Sequence, residues 1–145
     1  MCIRDSLSDY RDDSEVAALS RAAAGVAVPV GEDLFAVLAA SDALARRTDG
    51  AFDITAGRLT HLWRRARRLN AWPDAAHVAA ARAAGGFATV RLDARRRTVT
   101  LAEAGLEIDA GGIAKGYAAE AALGVLRGKG TVSYTHLTLP TIYSV

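Results

Sequence analysis

The sequence predicts an α+β chain. Three observations carry this: apolar residues recur at helical intervals as far as residue 85, the period shortens to two from Ala88, and a strand, a glycine turn and a further helix follow Leu106. In the first helix Val16, Leu19, Ala23 and Ala24 lie at helical spacing behind Ser14, a good N-cap residue, and Gly25 stops the pattern. The second helix carries Leu34, Val37, Leu38, Ser41, Leu44 and Ala45 on one stripe. It is entered through Gly31, Glu32 and Asp33 and ends at Asp49-Gly50. From Thr55 to Leu69 a third helix sets Leu59, Leu62, Trp63 and Ala66 on one face with arginines opposite. Pro73-Asp74 then opens a short Ala-rich helix that ends at Gly85-Gly86.

Beyond it, Ala88, Val90 and Leu92 alternate with Thr89, Arg91 and Asp93, and Val99 and Leu101 alternate with Thr98 and Thr100. This pattern predicts a hairpin turning about Asp93 to Arg97. Leu106-Glu-Ile108 reads as a third short strand, Asp109-Ala-Gly-Gly112 as a sharp turn, and Tyr117 to Leu126 as a helix.

At 145 residues and 15.2 kDa the chain has room for one core. Hydrophobic residues make up 51%, but 32 of them are Ala, so the core is thin. No apolar run reaches the length of about 18 residues that a membrane span needs. A net charge of +2 creates no strong field, which argues against nucleic acid as the partner. Arginines cluster at Arg64, Arg65, Arg67 and Arg68 and at Arg95 to Arg97. With no Tyr or Phe interleaved to stack bases, they read as a solvated helix face and a charged hairpin turn. The single Cys2 excludes an internal disulfide and CxxC sites, and His61 and His77, outside any metal-ligand spacing, read as surface histidines. From Thr131 to Val145 there is neither Ala nor Arg. That segment and Met1 to Ser6 are expected to be non-native, adapter-like tails (residues 1–6 and 131–145) flanking a partial domain over residues 7–130.

Chemistry-bearing residues concentrate in Asp109-Ala-Gly-Gly-Ile-Ala-Lys-Gly-Tyr117. A carboxylate ends a strand, glycines stand where backbone can approach a ligand, and Lys115 sits at a helix start whose free N–H groups favour an anion. A phosphate or pyrophosphate suits this arrangement, although neither a Walker A loop nor GxGxxG matches. The residues alone leave a glycine turn with an exposed lysine equally open. In Thr48-Asp-Gly-Ala-Phe-Asp-Ile-Thr55, Gly50 can end a helix in the left-handed conformation, Phe52 can bury and Asp53 can cap the next helix. The same stretch can also wall a ligand cleft.

Taken together, Leu7-Ser-Asp-Tyr-Arg-Asp-Asp-Ser-Glu15, Thr48-Asp-Gly-Ala-Phe-Asp-Ile-Thr55 with Leu62-Trp63, and Ile108-Asp-Ala-Gly-Gly-Ile-Ala-Lys-Gly-Tyr-Ala118 resemble, in order and spacing, the ApbE-type FAD:protein FMN transferases. Ser20 and Glu120 stand where Asn and Asp are usual. The resemblance implies helices packed on a mainly antiparallel sheet, present here only in part. It implies magnesium-dependent transfer of FMN from FAD to a Thr or Ser hydroxyl of a target flavoprotein in an electron-transfer complex, with release of AMP. The alternative is a protein that binds or splits FAD without flavinylating a protein. Tyr10 would stack on flavin or adenine, Ala51, Phe52 and Asp53 would line the FAD site, and Asp109 would accept a hydrogen bond from the nucleotide. Lys115 would contact the phosphates and serve as the catalytic cation, and the Gly112 carbonyl would face Mg2+. By the same resemblance the remaining metal ligands belong to a glycine-rich half beyond residue 130, this fragment is inactive alone, and the protein is bacterial and exported or anchored at the inner membrane.

Overall fold

In the computed structural model of the chain, residue 7 and residues 13–130 are described. The order is α1 (Glu15–Ser20), β1 (Ala27–Pro29), α2 (Glu32–Arg47), α3 (Gly57–Leu69), α4 (Ala75–Ala83), a 3-10 turn (Phe87–Thr89), β2 (Val90–Asp93), β3 (Thr98–Leu101) and α5 (Ala114–Gly128). The strands form an antiparallel sheet in the order β1-β3-β2, with Val28 and Leu92 both opposite Val99. The α+β class read from the sequence is what the chain adopts.

The hairpin is set by Asp93, whose Oδ1 accepts from the backbone N–H groups of Arg95 (2.9 Å) and Arg96 (3.1 Å), closing an Asx turn where Arg97 takes a positive φ of 52°. Val99 and Leu101 point into the core and are fully buried. They meet Val16 and Leu19 of α1 and Leu34, Val37 and Leu38 of α2 in one apolar cluster with Ile54, Leu106 and Ile108. Ser14 caps α1 as expected, its Oγ accepting from Ala17 N at 3.0 Å. Asp74 does the same for α4.

Four boundaries differ from the sequence reading. α1 stops at Ser20 rather than running to Gly25, because Gly25, at φ +76°, donates its N–H to Leu101 O (2.8 Å) and steers the chain into β1. Pro29 hides β1 in the sequence, and the strand tolerates it at the edge of the sheet that the described residues form. Residues Leu106 to Ile108 are extended but join no ladder. Glu107 O instead accepts from Gly57 N (3.1 Å) and Asp109 N donates to Ile54 O (2.8 Å), tying them to a loop that at once turns into α3. α5 starts three residues earlier than predicted, at Ala114.

α3 and α4 stand as a hairpin arm on the outside: Gly57 is the one buried residue of α3, and α4 has none. The predicted apolar face of α3 is therefore only half covered, and Trp63 is 41% exposed. Among the described residues no helix is long and apolar enough to cross a membrane.

Candidate functional site

Two loops meet beside the start of α5. The first, residues 48–56, follows α2. Thr48 Oγ1 donates to Leu44 O (2.9 Å) and accepts from Phe52 N (3.1 Å), and Gly50, at φ +78°, donates its N–H to Ala45 O (2.8 Å). Helix termination by Gly50 is as the sequence suggested, and the Thr48 pin fixes where the Phe52 backbone sits.

Asp53 does not cap α3, whose N-cap residue is Ala56 without a side-chain bond. Its Oδ1 accepts from Thr55 N (2.8 Å) and Thr55 Oγ1 (2.7 Å), and its Oδ2 accepts from Phe87 N (3.2 Å). Thr55 Oγ1, fully buried, accepts in turn from Gly86 N at 2.7 Å. The carboxylate thus clamps the loop to the exit of α4, because N–H groups two residues on and across the chain reach it before the helix N-terminus does.

The second loop is the glycine turn after Asp109. Asp109, with a side chain only 9% exposed, accepts three bonds from the protein: Oδ2 accepts from Thr60 Oγ1 (2.7 Å) and Arg64 Nη2 (3.1 Å), and Oδ1 from Gly111 N (2.8 Å). Arg64 was read as part of a solvated arginine face. It instead holds the carboxylate at the head of the glycine turn, one turn of α3 beyond Thr60. Neither Thr60 nor Arg64 was singled out from the sequence. Their spacing of four residues is the signal that could have marked one face, but it was lost among the neighbouring arginines.

The two glycines are constrained by neighbours. A Cβ on Gly111 would lie 2.9 Å from Asp109 Oδ1, and a Cβ on Gly112 would lie 3.3 Å from Phe52 Cε2. The second contact brings the two motifs together, with the edge of the Phe52 ring against the Gly112 backbone. Ala51 is exposed beside it, Phe52 is half-buried, and Lys115 is exposed in the first turn of α5, where backbone N–H groups lack helical acceptors. Asp53, which follows Phe52, is half-buried and accepts from Phe87 N. Tyr10 lies outside the described residues, as do Cys2 and both expected tails.

The Gly112 carbonyl offers magnesium one oxygen. Among the described residues no group of three or more metal-ligating side chains occurs, and Asp109 is engaged by Thr60, Arg64 and Gly111. An octahedral oxygen shell does not fit the residues present here.

Tyr117, one turn into α5, reaches back to α2: its hydroxyl donates to Asp33 Oδ1 at 2.7 Å. That bond, with burial and the charges of Asp33 and Glu32, pushes the phenol up to about 12. The neutral phenol is the form the fold favours, so its contribution is complete below about pH 10 and is lost as pH rises through about 12. Melting temperature should therefore fall more steeply across that window in the wild type than in Tyr117→Phe. Parallel curves would show that the bond does not tie α5 to α2. In the extended segment before Asp109, Glu107 Oε2, itself buried, lies 2.9 Å from His61 Nδ1, close enough for a hydrogen bond when that nitrogen carries a proton.

Compared with known proteins, the sequence matches the ApbE family profile over residues 2–135. A FAD:protein FMN transferase of Klebsiella pneumoniae is 34% identical over 123 residues, covering 85% of this chain and 39% of that protein. A protein of the same name from Treponema pallidum is 36% identical over 119 residues, covering 79% of this chain and 33% of its own length. The chain thus spans well under half the length of these relatives. Among solved structures, the apo flavinyl transferase ApbE of Pseudomonas stutzeri superposes with a TM-score of 0.78 at 31% identity, over 88% of this chain and 40% of that one. The flavin transferase ApbE of Vibrio cholerae superposes with a TM-score of 0.80 at 24% identity, over 88% of this chain and 41% of that one, and shares the fold.

Proposed function

Because the chain belongs to the ApbE family, we propose that it forms the phosphate-facing part of an FAD site in a protein that transfers FMN to another protein. What supports the reading most directly is the contact of Phe52 with Gly112 beside an exposed Lys115 in the first turn of α5. A planar side chain, bare glycine backbone and a cation at a helix start together suit a flavin nucleotide's ring and diphosphate. Asp109 would accept a hydrogen bond from the nucleotide, and through Gly111 N, Thr60 and Arg64 it fixes where the glycine turn leaves the extended segment.

In the proposed reaction a Thr or Ser hydroxyl oxygen of a target flavoprotein bonds to the FMN phosphorus. The bond from that phosphorus to the bridging oxygen breaks toward AMP, and the hydroxyl proton passes to solvent. Lys115 would hold the diphosphate and offset charge as it gathers on the leaving phosphate. Electron-transfer flavoproteins are the expected targets. Magnesium would require ligands beyond the described residues.

The test is titration of the chain with FAD, followed by flavin fluorescence. FAD should bind with or without magnesium, and Lys115→Ala should weaken binding by about tenfold, the value of one charge-assisted phosphate contact. Unchanged affinity in that variant would remove Lys115 from the site. For the protein at its relatives' length, covalent FMN on a Thr-containing target, read by mass spectrometry, tests transfer. Accumulation of free FMN and AMP with no modified hydroxyl would favour a pyrophosphatase instead.

A further inference from the structure

The outer end of the α3–α4 arm carries both tryptophans of the chain. Trp72 is 88% exposed and Leu69 64% exposed, and the Trp63 ring meets Trp72 edge-on at a centroid distance of 5.9 Å. Trp72 stands between two hollows. One, of about 250 Å³, is lined by Leu62, Ala66, Leu69 and Pro73 with Arg65 and His77 at its edge. The other, of about 280 Å³, lies between Trp63 and Trp72 with Arg67 and Asn70.

Exposing this much aromatic and aliphatic surface at one point marks an interaction site rather than the scattered apolar exposure of any surface. The charges that line its two hollows are arginines. Among the described residues Arg65 and Arg67, which line the hollows, make no ion pair, whereas Arg46, Arg64, Arg97 and Arg127 each meet a carboxylate. The nearby Asp74 has its Oδ1 on the N-terminus of α4 and its Oδ2 3.6 Å from His77.

We infer that this tip docks a protein segment that is acidic and carries bulky apolar side chains, which enter the hollows beside Trp72 while its carboxylates meet Arg65 and Arg67. The aromatic anchor with arginines around it is the usual make-up of a binding hot spot. Edge-on bracing by Trp63 holds Trp72 in place before binding, which reduces the ordering cost. The hollows on either side of Trp72 fit side chains of a protein better than they fit a flat lipid surface. The inference stands apart from the flavin reading and holds whether or not FAD binds.

Because both tryptophans lie in the patch, intrinsic fluorescence of the chain reports on it directly. The probe is a short synthetic peptide of Asp and Glu around a central Leu-Phe pair, compared with the same peptide carrying Lys in place of the acids. At low salt the acidic peptide should shift the emission to shorter wavelength and saturate, while the Lys peptide should not. Trp72→Ala, with Trp63 as reporter, should weaken binding by at least about tenfold. The double variant Arg65→Glu with Arg67→Glu should reverse the preference toward the Lys peptide. All three side chains are exposed, and circular dichroism checks that the variants keep the wild-type fold. Equal response to both peptides would overturn the inference. So would tighter binding of phosphatidylglycerol vesicles or of oligothymidylate than of the acidic peptide, or an emission shift that depends on protein concentration alone and so reports a second copy on the patch.

Discussion

Replacing Gly57 with Ala should lower stability by about 3 kcal/mol, among the larger effects any single methyl could have in this chain. A Cβ there would sit 2.5 Å from Glu107 O, 2.7 Å from Glu107 Cβ and 2.8 Å from Glu107 C. Two of those three atoms are backbone, so no side-chain rotation relieves the clash. Either α3 must back away from the extended segment or the segment must move, and both break the bond from Gly57 N to Glu107 O. Urea unfolding of the variant measures the loss. Gly124→Ala is the control, since nothing lies within 4 Å of its added methyl. Inside α5 it should gain roughly 0.5–1 kcal/mol from helix propensity. If both glycine variants behaved alike, the close approach of α3 to Glu107 would be wrong.

Asp109→Ala should have the next largest effect, a loss of about 2–3 kcal/mol, because it strands three donors at once: Thr60 Oγ1, Arg64 Nη2 and Gly111 N. The range is set below that of a fully buried pair because Arg64 is 35% exposed and water can reach it. Asp109→Asn keeps an acceptor oxygen and should lose about half as much. Arg64→Ala should cost less than either Asp109 variant, since Thr60 and Gly111 would still satisfy the carboxylate. Thermal unfolding of the three variants gives the order, and Arg64→Ala costing more than Asp109→Ala would contradict the arrangement described here.

How much of this was legible in the sequence depends on how local each signal was. The β2–β3 hairpin could be read because alternation and the Asp93 turn lie within a dozen residues of one another. α2 could be read because its stripe, its acidic first turn and Asp49-Gly50 all agree. β1 could not, since Pro29 interrupts a short Ala-Val-Pro-Val run and only pairing with β3, some seventy residues away, makes it a strand. Leu106 to Ile108 misled for the opposite reason: its composition suits a strand, but its bonds go to Ser20 Oγ, Ile54 and Gly57 rather than to a neighbouring strand.

At the site, the meeting of Phe52 with the glycine turn followed from the family resemblance, whereas the roles of Asp53, Thr60 and Arg64 did not. Asp53 looked like a helix cap from its position in the chain. Its real partners, Thr55 and Phe87, lie in a turn and across a loop. Arg64 is one of four nearby arginines of the same composition, and only its angular position on α3 separates it from Arg65 and Arg67. Rotation about a helix axis is known from sequence only after the axis has been docked.

The bonds from Gly86 N to Thr55 Oγ1 and from Phe87 N to Asp53 Oδ2 have a consequence for how the molecule tolerates change. They bring the end of the arm back to within a hydrogen bond of its beginning, so everything beyond Arg64 is an excursion that leaves and rejoins the body at one place. Closing such an excursion costs entropy that rises only slowly with its length. Residues can be inserted into or removed from the bend between α3 and α4 without shifting the sheet register or the glycine turn, which leaves the tip free to diverge while the bonds that hold Asp109 stay fixed.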